Sequence, residues 1–160
     1  MCALWLNCSR LPLCFTQIPD VFTKVERSRV MSAIRSSGNK ATELAMMRFF
    51  RRQRITGWRR NHAIFGKPDF TFPKLKLAVF VDGCFWHGCP KHSNMPVNNR
   101  HFWERKLLGN KRRDKLVARA LRARSWRVFR VWEHELSRKN DKELLRRIRR
   151  ALSITAVDVH

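Results

Sequence analysis

The sequence predicts one mixed α/β (α+β) domain, with helices flanking a mixed sheet. Three observations carry that expectation. Stretches of helical period alternate with short apolar or alternating runs, in the order α-α-β-β-β-α-β-α. Turns rich in Gly, Pro and Asn separate those runs. The chain has 160 residues, of which 44% are apolar, enough to bury one core, and no internal repeat divides it.

Each element has its own signal. Residues 1–19, "MCALWLNCSRLPLCFTQIP", are mildly apolar but interrupted by Asn7, Ser9 and Arg10. They lack the basic start and cleavage pattern of a secretory signal, and a poorly ordered extension is expected there. Their Cys2, Cys8 and Cys14 match no zinc spacing. "TKVE" at 23–26 has the form of a capping box, with Val30 and Ile34 following at helical spacing. A second helix is expected from about Thr42 to Arg54, with Leu44, Met47 and Phe50 on one side and Gly57 after its end. "WRRNHAI", "DFTF" and "KLAVFVD" read as strands, with turns at Gly66–Pro68 and Pro73–Lys74. Residues 88–99 read as a loop and 100–123 as a long helix. "WRVFRVWE" alternates like a strand. "DKELLRRIRRAL" is an amphipathic helix with Leu144, Leu145, Ile148 and Leu152 inward. The domain is expected to span 20–152, with 153–160 as a tail.

Charge narrows the partner. Thirty-five Lys and Arg against twelve Asp and Glu give +23, spread along the chain. That balance favours a polyanion, most simply a nucleic-acid backbone. In the middle of the long helix "NKRRDK" has no apolar residue, so Lys111, Arg112 and Arg113 either face solvent or meet phosphates. No apolar run approaches the ~18–20 residues that span a bilayer, so no membrane partner is expected.

Chemistry concentrates in "VFVDGCFWHGCPKH" at 79–92. Cys84, Cys89 and His92 form Cys-x4-Cys-x2-His, thiolate and imidazole donors of the kind zinc prefers, in a reducing compartment. A tetrahedral site needs a fourth ligand, for which His87, His101 and His134 are candidates. Asp69 follows a Gly–Pro turn and Asp82 ends an apolar strand; if the strands are adjacent, both reach one hard cation such as magnesium. An Asp at a turn is ordinarily a cap, whereas a carboxylate directly after "LAVFV" needs a partner. Glu43, on the apolar side of the second helix, can join them, and His87 can act as general acid or base. Phe85, Trp86, Phe102 and Trp103 either stack on bases or pack as a small core against the metal knot.

Taken together, "RSRVMSAIRSSGNKATE", "GKPDFTF", "VFVDGCFWHGCPKH", "HFWERKLLGNKRRDK" and "WRVFRVWEHEL" resemble the very-short-patch (Vsr-type) mismatch repair endonucleases over residues 20–152. The resemblance implies a restriction-endonuclease-like fold stiffened by structural Zn2+. It also implies a Mg2+-dependent nick 5′ to the thymine of a T·G mismatch left by deamination of 5-methylcytosine. Asp69 would be the principal magnesium carboxylate, Val81 would offer its carbonyl, Glu43 would act through a water on the metal, and His87 would assist hydrolysis. Zinc would take Cys84, Cys89, His92 and His134. Phe85, Trp86 and Trp103 would be the wedge inserted into DNA, and Lys67, Lys111, Arg112 and Arg113 would hold phosphates. The family's best-known member carries Thr-His where this chain has Val81-Asp82 and a Cys at the position of His134, and the resemblance leads one to expect Arg where Lys67 precedes the Pro-Asp; Asp82 is expected to bind metal. A bacterial, cytoplasmic, nucleoid-associated monomer working with the mismatch-repair machinery is the implied setting. The rivals are a non-catalytic zinc-containing nucleic-acid-binding module, with Asp69 and Asp82 as caps, and a restriction-type or mobile-element nickase of the same fold.

Overall fold

The structure, a computed structural model, describes Val25 and residues 42–153. The chain divides into two units, Met1–Ile34 and Arg35–His160. Of the first, Val25 is helical and exposed; the rest of the helix expected after Thr23, the extension 1–19 and residues 154–160 lie outside the described residues.

The second unit has the mixed α+β architecture expected. Helix α1 (Glu43–Arg52) leads to β1 (Phe70–Phe72), a short 3-10 turn at Pro73–Leu75, and β2 (Leu77–Asp82). Helix α2 (Arg100–Arg122) crosses to β3 (Arg127–Trp132), and two further 3-10 turns, Glu133–Leu136 and Arg138–Asn140, enter α3 (Asp141–Ser153). The sheet has three strands in the order β1-β2-β3. β1 and β2 are antiparallel, with Phe70 opposite Val79 and Phe72 opposite Leu77. Pro73 starts the tight connection and Lys76 closes it in the left-handed region at φ 44°. β2 and β3 are parallel, running from Leu77 opposite Arg127 to Asp82 opposite Trp132. A parallel pair needs a long crossover, and α2 supplies it. As the central strand β2 is covered on both faces, which is why "LAVFVD" reads as a nearly continuous apolar run.

One face of the sheet carries Val79, Val81 and Val131, which join Met46, Phe49 and Phe50 of α1 and Leu144 and Ile148 of α3 in the core. Leu145 and Leu152 pack at its margin, as the α3 pattern predicts. Phe50 is the hub: its ring meets Trp58 at 5.7 Å, Phe70 at 5.3 Å and Phe72 at 5.7 Å. The other face carries Asp82 and Arg130 toward α2.

Two expectations need correction. α1 buries Glu43, Met46, Phe49 and Phe50, whereas Leu44 and Met47 are half-buried. Both stripes have helical spacing, but turning the helix toward 46 and 49 brings two phenyl rings inward instead of one. "WRRNHAI" forms no strand. Arg59 exchanges backbone hydrogen bonds with Thr71 at 2.8 and 2.9 Å, and this single bridge is all the pairing the segment makes. Asn61 then turns into the left-handed region, φ 52°, which ends the extended run.

Phe50 is fully buried, so Phe50→Ala removes a ring from the centre of an aromatic cluster. The expected loss of unfolding free energy is about 3–5 kcal/mol, measured by urea denaturation; a loss below about 1 kcal/mol would show that Phe50 is not the packing hub.

Candidate functional site

The antiparallel register places Asp69, one residue before β1, beside the end of β2. Gly66 and Lys67, both at positive φ (82° and 48°), turn the chain into this position, and a Cβ on Gly66 would stand 2.2 Å from Val117 of α2. Asp69 Oδ2 accepts the Val81 backbone N–H at 2.7 Å. Burial is the main reason its carboxyl is pushed up to about 6, and the negative charges of Glu43 and Asp82 push the same way, against the Val81 hydrogen bond. Glu43 is buried on α1, and its Oε2 accepts from Arg60 Nη2 at 2.6 Å. Three carboxylates from α1, the β1 entry and the β2 exit therefore share one electrostatic neighbourhood.

Asp82 has a partner that local sequence spacing does not reveal. Arg130 grips it as a fork, Nε to Oδ2 at 2.6 Å and Nη2 to Oδ1 at 2.7 Å. Such bidentate pairs are the strong form of the carboxylate–guanidinium contact. Arg130 Nη2 also lies 3.2 Å from Asp114 Oδ2 of α2. That same oxygen is 2.7 Å from His87 Nδ1, which stands 3.7 Å from Asp82 Oδ1. Asp82, Arg130, Asp114 and His87 thus form one charged network between the sheet and α2. With the fork closed, both Asp82 oxygens are engaged by Arg130, whereas the sequence suggests a carboxylate facing a metal. Sequence reasoning misses Arg130 and Asp114. Their signals are a cation among apolar residues in "RVFRVW" and the one acid in "NKRRDK".

Beyond the strand ends the structure brings together Cys84, Cys89, His92 and His134, with one ligand atom from each within 4.8 Å of every other. Cys84 Sγ and His134 Nδ1 are 3.2 Å apart, Cys89 Sγ and His134 Nδ1 3.6 Å, Cys89 Sγ and His92 Nδ1 3.8 Å. A tetrahedron with zinc–sulfur distances of about 2.3 Å and zinc–nitrogen distances of about 2.0 Å has sulfur-to-nitrogen edges of about 3.5 Å. The cluster therefore fits a four-coordinate metal. His134 sits in the turn after β3, its carbonyl held by Asn140 Nδ2 at 2.8 Å, while neighbouring Glu133 Oε2 accepts the Cys84 N–H at 3.2 Å. Burial, then the adjacent His92 and Lys91, hold the His134 imidazole below its ordinary value and so favour the neutral ligand form. Burial and then Cys89 and Glu133 raise the Cys84 thiol. The other two candidate histidines go elsewhere: His87 to Asp114, and His101 to an exposed position 3.7 Å from Glu104.

The aromatics lie on the rim of this knot. Phe85 meets Trp86 and Trp103 each at 5.2 Å, and Trp86 meets Trp103 at 6.0 Å. Trp103 is only 7% exposed, so in the free chain it backs the half-buried Phe85 and Trp86. Asn110 Nδ2 donates to the Trp86 carbonyl at 2.8 Å, fixing the loop to α2. Lys67, Lys111, Arg112 and Arg113 are exposed, and Lys111 lies over Gly88, where a Cβ would be 2.7 Å from its Cε.

The chain has relatives among known proteins. A family model described as DNA mismatch endonuclease Vsr matches residues 19–93. The type II nicking enzyme V.NaeI of Lentzea aerocolonigenes is 43% identical over 113 residues, 68% of this chain and 68% of its own length. Type II nicking enzyme V.NmeDIP of Neisseria meningitidis serogroup C is 36% identical over 135 residues, 83% of this chain and 90% of its own. DNA mismatch endonuclease Vsr of Escherichia coli K12 is 30% identical over 115 residues, 71% and 73% of the respective chains.

The raised Asp69 carboxyl has a consequence for stability. Between its usual 3.8 and about 6 the unfolded chain releases a proton that the folded chain keeps. Raising pH through that window therefore favours unfolding, by about 3 kcal/mol at most. Asp69→Asn, whose amide oxygen can still accept the Val81 N–H, removes the penalty. In magnesium-free buffer it is expected to melt higher than the parent at pH 7.5, with the gain shrinking toward pH 5. An equal shift at both pH values, or a lower melting point at pH 7.5, would contradict this account.

Proposed function

The chain belongs to the Vsr family of DNA endonucleases, and on that premise we propose that it nicks one strand of double-stranded DNA 5′ to the thymine of a T·G mismatch. The observation that carries the chemistry is the grouping of Asp69, Glu43 and Asp82 with the His87–Asp114 pair at the end of β2. A carboxylate whose pKa is pushed up to about 6 by burial, with the charges of Glu43 and Asp82 adding to the rise, suits a hard divalent cation. Asp69 and the Val81 carbonyl would hold Mg2+. Glu43, tied by Arg60, would order solvent beside it. Bound magnesium supplies charge neutralisation at the scissile phosphate.

The chain's own residues do the rest. Asp114 takes the His87 Nδ1 proton in its hydrogen bond, leaving Nε2 for proton transfer at the phosphate. Asp82 serves this arrangement by holding Arg130, whose guanidinium in turn meets Asp114. Phe85 and Trp86 would enter the duplex beside the mismatch, backed by Trp103; unstacking costs less where pairing is already weak. Lys67, Lys111, Arg112 and Arg113 would hold phosphates without reading sequence. Cys84, Cys89, His92 and His134 would bind structural Zn2+ and keep the wedge loop in place. A second reading, a nickase directed by sequence rather than by a mismatch, is favoured by the 43% identity to a type II nicking enzyme.

Two experiments test these assignments. Labelled T·G and T·A duplexes, incubated with magnesium or with EDTA, should show a magnesium-dependent nick confined to T·G. Asp69→Ala should cost about 10³-fold in rate, the scale of removing a group that stabilises developing charge. Nicking of both duplexes alike supports the second reading, and undiminished activity in Asp69→Ala sinks the metal assignment. Elemental analysis should find about one zinc per chain, and Cys84→Ala should release it and lower the melting temperature markedly. A wild-type protein that is stable without any metal would refute the structural zinc.

A further inference from the structure

A line of cations on α2 lies open to solvent. Lys115, Arg119 and Arg122 follow one another at four and three residues, so they share a face of the helix. With Asp114, Ala118 and Arg130 they line a cleft of about 420 Å³ between α2 and the sheet. All three cations are exposed, and among the described residues none of them forms an ion pair. The one acid in the cleft is already committed, since Asp114 is taken by His87 and Arg130. Ala118 leaves the floor between the long side chains clear. Like charges at helical spacing repel one another, so the line gains nothing for the fold.

Its position points to the ligand class. The cleft begins at Asp114 and Arg130, members of the network that orients His87, and extends about 12 Å along the helix axis to Arg122. One DNA strand presents a charge about every 3.4 Å of duplex axis. We propose that this cleft is a phosphate track, which holds two to three consecutive phosphodiesters of one DNA strand to one side of the scissile bond. Lys111, one turn earlier on the same stripe, is where the track meets the loop at Gly88. The track rests on the chain acting at DNA and is independent of any preference for a mismatch. It positions the strand through backbone charge alone, so its contribution to binding is the same whatever the bases.

The test compares Arg119→Gln/Arg122→Gln with a control of equal charge, Arg149→Gln/Arg150→Gln on α3. Binding to T·G and fully paired duplexes is measured across a series of salt concentrations, with melting curves confirming that both variants are folded. The track variant should bind both duplexes about tenfold or more weakly. Its log K against log salt should flatten by about two, since each phosphate that a cation no longer neutralises lowers the slope by about 0.9. Nicking should show a raised KM with kcat within about twofold. The α3 control should keep the parental slope. A track variant with the parental slope, or one no different from the α3 control, would overturn the proposal, as would a loss confined to T·G DNA. A parent protein that fails to prefer T·G would sink the mismatch reading and leave this comparison intact.

Discussion

The register between β2 and β3 is the constraint on which the rest hangs. With Asp82 opposite Trp132, the two strands leave the sheet side by side, and two residues further on each chain stand Cys84 and His134. Two residues back on β3 stands Arg130, on the same face as Asp82. One pairing therefore builds the cysteine–histidine knot and the guanidinium fork at once. A slip of one residue would send every side chain of β3 to the opposite face, putting Arg130 into the apolar core and parting His134 from the cysteines.

Around that register the protein segregates its charge. In a chain with a net charge of +23, the few acids at the sheet end are not scattered counterions. Glu43 and Asp82 each have an arginine, Arg60 and Arg130. Asp69 leans instead on the backbone N–H of Val81 and carries the raised pKa. That inequality distinguishes groups that hold the scaffold from the group that most gains from a cation. Much of the surplus positive charge on the described residues lies on α2, where Lys111, Arg112, Arg113, Lys115, Arg119 and Arg122 are exposed and within reach of a polyanion.

Much of this is legible in the sequence, and the remainder is not for identifiable reasons. The continuous apolar run of β2, the amphipathic α3 and the polar middle of α2 are local patterns, and they appear where spacing puts them. The cysteine–histidine cluster is half legible: Cys84, Cys89 and His92 are close in sequence, but His134 is 45 residues beyond Cys89, and residue spacing leaves three histidines open. Asp82–Arg130, 48 residues apart, and His87–Asp114, 27 apart, are contacts made by the parallel crossover, which no local window contains. The face of α1 is ambiguous because two helical stripes share Phe50 and only the sheet decides between them. "WRRNHAI" reads as a strand between turns, yet Asn61 turns it away after a single bridge.

The fork on Asp82 also restricts how such a chain can diverge. Asp82 is 4% exposed, so replacing Arg130 alone would strand an anion in the interior, and replacing Asp82 alone would leave a guanidinium facing only Asp114. Losing Arg130 first leaves a buried carboxylate without its fork, whereas losing Asp82 first leaves a part-exposed guanidinium that keeps Asp114. The asymmetry makes loss of Arg130 the costlier first step, so a change at position 82 is expected to precede or accompany one at position 130.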